Sequence, residues 1–209
     1  DPWTAVLNIS ACFYPGVDRI FEQKQRMIED LIRRRRSVYP KQYNDKPVDK
    51  EVIQRLLQAA VHAPTHKRTE PWRFRVLQGD SRRRLGEFLQ GKYLETDASP
   101  KQFKAKKLLE NPMRAGAIIA ICMQRDPQQR LPEWEEIAAT AMAVQNMWLT
   151  CTELKLGAYW SSPGLIRYMD EFFDLAEGER CLGFFYLGHY DEPVDEVPRV
   201  AAEDRTVWL

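Results

Sequence analysis

Residues 59–76 read AAVHAPTHKRTEPWRFRV, and they crowd His62, His66 and Lys67 into a polar stretch between an apolar segment and Pro71-Trp72. Imidazoles at that density can move protons, bind a metal or carry charge toward a ligand. A second concentration of chemistry lies upstream, where Arg33-Arg34-Arg35-Arg36 runs into Ser37. Adjacent guanidiniums offer planar, bidentate donors that suit an anion. The same run also reads as a solvated helix end or a nuclear-localisation-like patch. His62 and His66 stand four apart, the helical spacing of two zinc ligands, but Pro64 interrupts the helix and no third ligand is evident. A histidine there can equally cap the helix C-terminus as a cation. No metal site is therefore assigned.

Other motifs fail on context. Gly86–Tyr93, GEFLQGKY, copies the glycines and lysine of a phosphate-binding loop. It puts Tyr93 where Ser or Thr should hold magnesium, and it sits inside an amphipathic pattern. There is no GxGxxG, no GxSxG, and no cysteine with a neighbouring histidine.

Bulk properties bound the answer. The 209 residues suit one domain with a sizeable core. The 31 basic residues nearly balance 30 acidic ones, for a net charge of +1, which argues against a dedicated nucleic-acid binder. Cys12, Cys122, Cys151 and Cys181 are dispersed without a CxxC pair, so a disulfide framework is not expected and a reducing, cytoplasmic setting is. No apolar run reaches the length of a membrane span. Asp1-Pro2 is not a signal-peptide start, and the sequon at Asn8-Ile9-Ser10 is weak evidence alone.

The elements that must position this chemistry follow from periodicity. Residues 1–24 read as a loose arm, and 25–34 as a helix through Met27, Ile28, Leu31 and Ile32. Asp49 is placed to cap the next helix, with Val52, Ile53, Leu56, Leu57, Ala60 and Val61 as its buried stripe. Trp72, Phe74 and Val76 alternate with Arg73, Arg75 and Leu77 as a strand. Ser81 can cap a helix carrying Leu85, Phe88 and Leu89, and the lysine-rich 92–111 reads as a mobile surface helix or lid. Ala115–Met123 is an all-apolar strand covered on both faces. From Glu133 to about Leu156 runs the longest helix, with Ile137, Ala138, Ala141, Val144, Trp148 and Cys151 as its seam and Gly157 as its stop. Ala158–Trp160 is a short strand, about 165–175 a helix, and Cys181–Leu187 the last core strand. The polar tail ends in Val207-Trp208-Leu209, which suggests docking, on a partner subunit for example. One α+β domain results.

Assembled in order, these pieces resemble the FMN-dependent nitroreductase family, in its compact bacterial branch. The matching stretches are Arg35-Arg36-Ser37, Ala63-Pro64-Thr65-His66-Lys67 and Pro71-Trp72-Arg73-Phe74. Ala143-x-Gln145-Asn146, Leu156-Gly157-x-x-Trp160-Ser161-Ser162 and Leu187-Gly188 complete the series. The likeness covers residues from about Met27 onward and leaves 1–24 outside a nitroreductase-like FMN-binding domain at 25–209. It implies a three-layer sandwich, a central and mostly antiparallel sheet flanked by helices. It also implies a homodimer with FMN at the subunit interface and residues of both chains around each flavin. By the same resemblance Arg35, Arg36 and Ser37 hold the phosphate and ribityl chain, and His62 and His66 reach the flavin. Trp160, Ser161, Ser162 and Gly164 lie against the ring, and Arg199 sits near the phosphate. Tyr39 stands where the family often has a basic residue, so a cation near flavin N1 has to come from elsewhere, His66 and Lys67 being candidates. Pro163 departs from the plainer Trp-x-Ser-Gly form.

The activity implied is an NAD(P)H-dependent flavin oxidoreductase. NADPH or NADH delivers hydride to the flavin, product leaves, and a nitroaromatic, quinone or similar electron-poor acceptor takes two electrons in ping-pong fashion. No catalytic side chain is required of the protein. A flavin-cleaving or dehalogenating enzyme of the same fold, or a flavin binder without turnover, is an alternative. A nucleic-acid-binding module built on Arg33–Arg36 is the alternative of a different class.

Overall fold

The computed structural model describes residues 27–209, so the arm at 1–24, its sequon and Cys12 lie outside the described residues. Residues 27–34 form helix α1, on which Asp30 accepts from Arg33 and pairs with Arg34, both at 2.7 Å. The second unit is Arg35–Leu209.

In that unit four helices flank a four-stranded sheet. The elements are α2 (Lys50–Ala60), β1 (Trp72–Leu77), α3 (Asp80–Thr96), α4 (Gln102–Arg114), β2 (Ala117–Gln124), α5 (Glu133–Glu153), β3 (Gly157–Ser161) and β4 (Glu179–Gly188). Strand order is β1-β2-β4-β3, and all three pairings are antiparallel. The two central strands are buried on both faces, which is why their sequences read as unbroken apolar runs. On β4 the period of two sends Phe185 and Leu187 into a core shared with α2 and α5, and Phe184 and Tyr186 into a core under α3 and α4. Each such phenylalanine contributes about 1.5–3 kcal/mol by leaving water. The result is the α+β, three-layer architecture expected.

Several local expectations shift. Asp49 occupies the N-cap position of α2 through its backbone, its carbonyl accepting from Ile53 at 3.2 Å, without a side-chain cap. Val61 of the expected stripe is exposed. On β1 the expected alternation keeps its phase, but at the end burial changes sides: Val76 is exposed, and Leu77, on the face of Arg73 and Arg75, is buried with residues of α3 and α4. The expected lid at 92–111 is instead a packed pair, α3 against α4, with Tyr93 and Ala105 buried. Gly86 lets them approach, since a Cβ there would meet the Leu109 carbonyl at 2.5 Å. The glycine of the apparent phosphate loop thus serves helix packing. Residues Gly164–Glu171 form a 3-10 helix in place of the α-helix expected at 165–175.

The largest correction concerns α5. Its buried face is Glu136, Ala139, Thr140, Ala143, Val144, Met147 and Cys151, so Ile137, Ala138 and Ala141 of the expected seam are only partly covered. The misreading has a physical cause. Glu136 is fully buried because it pairs with Arg125 and accepts from the Asp126 amide at 2.8 Å, and a buried carboxylate disguises the inward face. The helix ends at Lys155, which takes a positive φ of 53°, and Gly157 opens β3 rather than stopping the helix.

Candidate functional site

The segment after α1 runs along the open edge of β3. Val38 donates its amide to Ala158 at 3.0 Å, and Asn44 donates to the His189 carbonyl at 2.8 Å. The Tyr43 hydroxyl donates to Val38 at 2.7 Å, its ring seated on Gly188, where any Cβ would lie 2.3 Å from the ring. Burial raises the Tyr43 pKa well above the usual phenol value. The segment therefore covers a sheet edge and is fixed by it.

Its basic residues meet at a cavity of about 570 Å³, walled by Arg35, Arg36, Ser37, Lys41 and, from the tail, Asp195 and Arg199. Arg35 lies over the Trp148 ring at 4.7 Å, a cation–π contact worth about 0.5–2 kcal/mol. Arg36 donates to the Arg35 carbonyl at 2.9 Å and approaches Glu196 at 3.6 Å, while the Trp148 indole donates to the Arg36 carbonyl at 3.2 Å. Burial, then repulsion from Arg199 and Arg36, holds the Arg35 pKa below its ordinary value. Guanidiniums that repel one another beside a cavity are relieved by an anion. A phosphate dianion fits that donor set.

Tyr39 and Lys41 also line a second cavity of about 550 Å³, bounded by Tyr159, Ser161, Pro163 and α4. The Tyr39 and Tyr159 rings are 4.6 Å apart, and Tyr186 stacks on Tyr159 at 6.3 Å. The two hollows share a wall, so a basic end leads to an aromatic end. An elongated ligand with an anionic group at one end and a flat ring at the other matches that shape.

Within the expected ring segment the outcome is mixed. Ser161 lines the aromatic cavity, whereas Ser162 and Gly164 do not. Trp160 points to the other face of β3, into the core of α2 and α5, because strand neighbours alternate. Its indole N–H is buried and has no acceptor among the described residues. The indole packs on Gly183, whose φ of 148° and lack of a Cβ make room for it.

The histidine loop is elsewhere. His66 pairs with Glu135 at 2.7 Å, and Lys67 donates to the Arg130 carbonyl at 3.1 Å. His62 lies 3.5 Å from Gln58 and is exposed. Glu135 and the Trp148 beneath Arg35 are 13 residues apart on α5, about 20 Å along the helix axis. The chain therefore brings Arg35, Arg36, Ser37 and Arg199 together, and does not bring His62 or His66 to them. The loop is tightly specified all the same: Lys67, Arg68 and Glu70 all take positive φ, at 50°, 53° and 42°. Such non-glycine conformations cost about 1–3 kcal/mol each and persist only where surroundings enforce them. Sequence reasoning missed Lys41, Tyr159, Lys104 and Lys107 as cavity residues. Pro40, which turns the chain into a 3-10 helix at Pro40–Gln42, was the available signal for Lys41.

Comparison with known proteins agrees with this geometry. The chain resembles the Bacillus subtilis protein named "Putative NAD(P)H nitroreductase YfhC", at 28% identity over 195 residues, covering 91% of this chain and 97% of that one. A nitroreductase-like family protein from Bacillus cereus superposes with a TM-score of 0.76 at 29% identity, over 87% of this chain and 95% of that one. At 20% identity, a nitroreductase with bound FMN from Bacteroides fragilis shares the fold, with a TM-score of 0.63 over 87% and 98% of the two chains. The family model described as Nitroreductase family matches residues 32–189, from the arginine run to the end of β4. With sheet order, basic cavity and motif series in agreement, the chain belongs to the nitroreductase family.

Proposed function

We propose that this chain is an FMN-dependent NAD(P)H oxidoreductase that reduces nitroaromatic, quinone or similar electron-poor acceptors in two half-reactions at one place. The observation that carries the reading is the convergence of Arg35, Arg36 and Arg199 on one cavity that shares Tyr39 and Lys41 with an aromatic one. The guanidiniums and the Ser37 hydroxyl would hold the FMN phosphate and ribityl chain. Tyr39, Ser161 and Lys41 would border the ring. FMN supplies the two-electron exchange, with the overall balance ArNO₂ + NAD(P)H + H⁺ → ArNO + NAD(P)⁺ + H₂O for a nitro acceptor.

The protein's part is to bind and orient. Trp148 stacks beneath Arg35, and the Arg36–carbonyl bond fixes the neighbouring fork, so both donors are preorganised. Lys41 takes the place of His66 and Lys67 as the cation for the ring end, since those two are engaged at Glu135 and Arg130. A cation there favours the reduced, more negative cofactor.

A homodimer is part of the proposal. α5 leaves Trp134 67% and Met142 40% exposed, and Val61 just after α2 is 46% exposed, apolar surface of the kind that subunits cover. A second copy on that surface would carry its His62–Lys67 loop toward the first copy's cavities, with FMN between chains. Free, buried Cys122, Cys151 and Cys181 suit a reducing cytoplasm. The nucleic-acid alternative loses its basis, since Arg33 and Arg34 engage Asp30 on α1 while Arg35 and Arg36 line the cavity.

The test is the colour of the purified protein and its anaerobic titration. Yellow protein that NADPH or NADH bleaches and a quinone or nitroaromatic recolours is expected. A colourless protein that takes up no FMN would overturn the proposal.

A further inference from the structure

Resting on that reading, we infer that the aromatic cavity selects an acceptor whose flat ring carries an anionic substituent, a carboxylate or sulfonate. Three lysines, Lys41, Lys104 and Lys107, line the hollow, and its lining contains no aspartate or glutamate. Lys41 and Lys107 have no carboxylate within salt-bridge distance among the described residues; Lys104 reaches only Asp97, at 3.9 Å, and lies over the Tyr93 ring at 4.5 Å. Lys104 and Lys107 stand three apart on α4, hence on one helical face. The opposite wall is Tyr39 and Tyr159, rings in contact. With the flavin ring of that reading on the tyrosine side, an acceptor ring stacked on it meets the lysines of α4, which hold it by charge at its substituent.

The charge is particular to this hollow. A third cavity, walled by Arg167, Asp170, Glu179 and Arg180, has both signs, and Glu179 is already paired with Arg75. The basic cavity has Asp195 in its wall and Glu196 near Arg36. Of these three cavities, the one at the α4 wall combines lysines and aromatic rings with no carboxylate among the described lining residues. A neutral acceptor finds stacking there but leaves the lysines to water.

The experiment uses the flavin-loaded protein and two isosteric pairs. Benzoate and benzamide, which are not reduced, are titrated calorimetrically. 4-Nitrobenzoate and 4-nitrobenzamide are compared by kcat/KM at saturating reductant. The anionic member of each pair should be preferred about fivefold or more, as expected for two partly exposed cationic contacts. That ratio should shrink with added salt and fall toward unity in the double variant Lys104→Gln, Lys107→Gln. Equal binding and equal kcat/KM for the two members in active enzyme would overturn this inference and leave the oxidoreductase reading intact. If the variant instead changes only the NADPH to NADH ratio, the lysines serve the nucleotide's phosphate and the inference is overturned likewise. Failure of the oxidoreductase reading looks different: neither nitro compound is turned over and no flavin is retained.

Discussion

Two basic segments of this chain have similar composition and opposite fates. Arg35–Tyr43 is tied along β3, and its guanidiniums gather on the wall of a cavity, Arg35 over the Trp148 ring and Arg36 near Glu196. His62–Glu70 is bent through three positive-φ residues, with His66 hydrogen-bonded to Glu135 and Lys67 to the Arg130 carbonyl. Charge count is therefore a poor guide to a ligand site. What distinguishes the two is whether the fold gathers the basic side chains on a cavity or holds them against its own surface groups.

The sharpest way to break the contrast is Arg35→Ala with Arg36→Ala. Each lost charge-assisted bond to phosphate removes about 1.5–3 kcal/mol, so FMN affinity should fall by at least about 100-fold while far-UV circular dichroism stays native. Full flavin occupancy in the double variant, read from the absorbance ratio, would mean that the cluster serves something else.

On the other side of the contrast the expected losses are of stability. Glu136 is buried, pairs with Arg125 and accepts from the Asp126 amide, and it fixes the turn that offers its Arg130 carbonyl to Lys67. Glu136→Ala leaves both donors without their acceptor and should cost about 3 kcal/mol in urea unfolding. A loss below about 1 kcal/mol, the range of an exposed pair, would contradict that role.

Asp126 gives the pH arm. Arg130 donates to it at 2.7 and 3.1 Å, which lowers its pKa from 3.8 to about 2. A depressed folded-state pKa means the stabilisation is complete above about pH 4 and is lost as pH falls through about 2. Asp126→Asn should flatten the acid limb of stability in that window, and an unchanged limb would show that other carboxylates dominate. Smaller still is Glu135→Gln, which removes the partner of an exposed histidine and should shift stability by less than about 1 kcal/mol. A larger loss would mean that the loop's positive-φ conformations depend on that pair.

Much of this was legible in the sequence, for identifiable reasons. β2 and β4 announce themselves because both faces are buried, and Arg35, Arg36, Ser37 and Arg199, far apart in sequence, line one cavity. The inward face of α5 was not, because Glu136 is buried by pairing and reads as a surface residue, while Ile137 and Ala141 read as core. The alternation of β1 placed Leu77 opposite Trp72 and Phe74 as found, but not the exposure of Val76 on this edge strand. The partners of His66 and Lys67 come from residues 69 and 63 positions away, which no local pattern reveals. Lys41 escaped attention because it acts through the turn at Pro40 rather than through a motif position.

The central claim is that a phosphate sits among Arg35, Arg36 and Arg199, and riboflavin, which is FMN without its phosphate, tests it most directly. Titrated into flavin-stripped protein and followed by quenching of flavin fluorescence, FMN should bind at least about 100-fold more tightly than riboflavin. Equal affinities for the two would contradict the account.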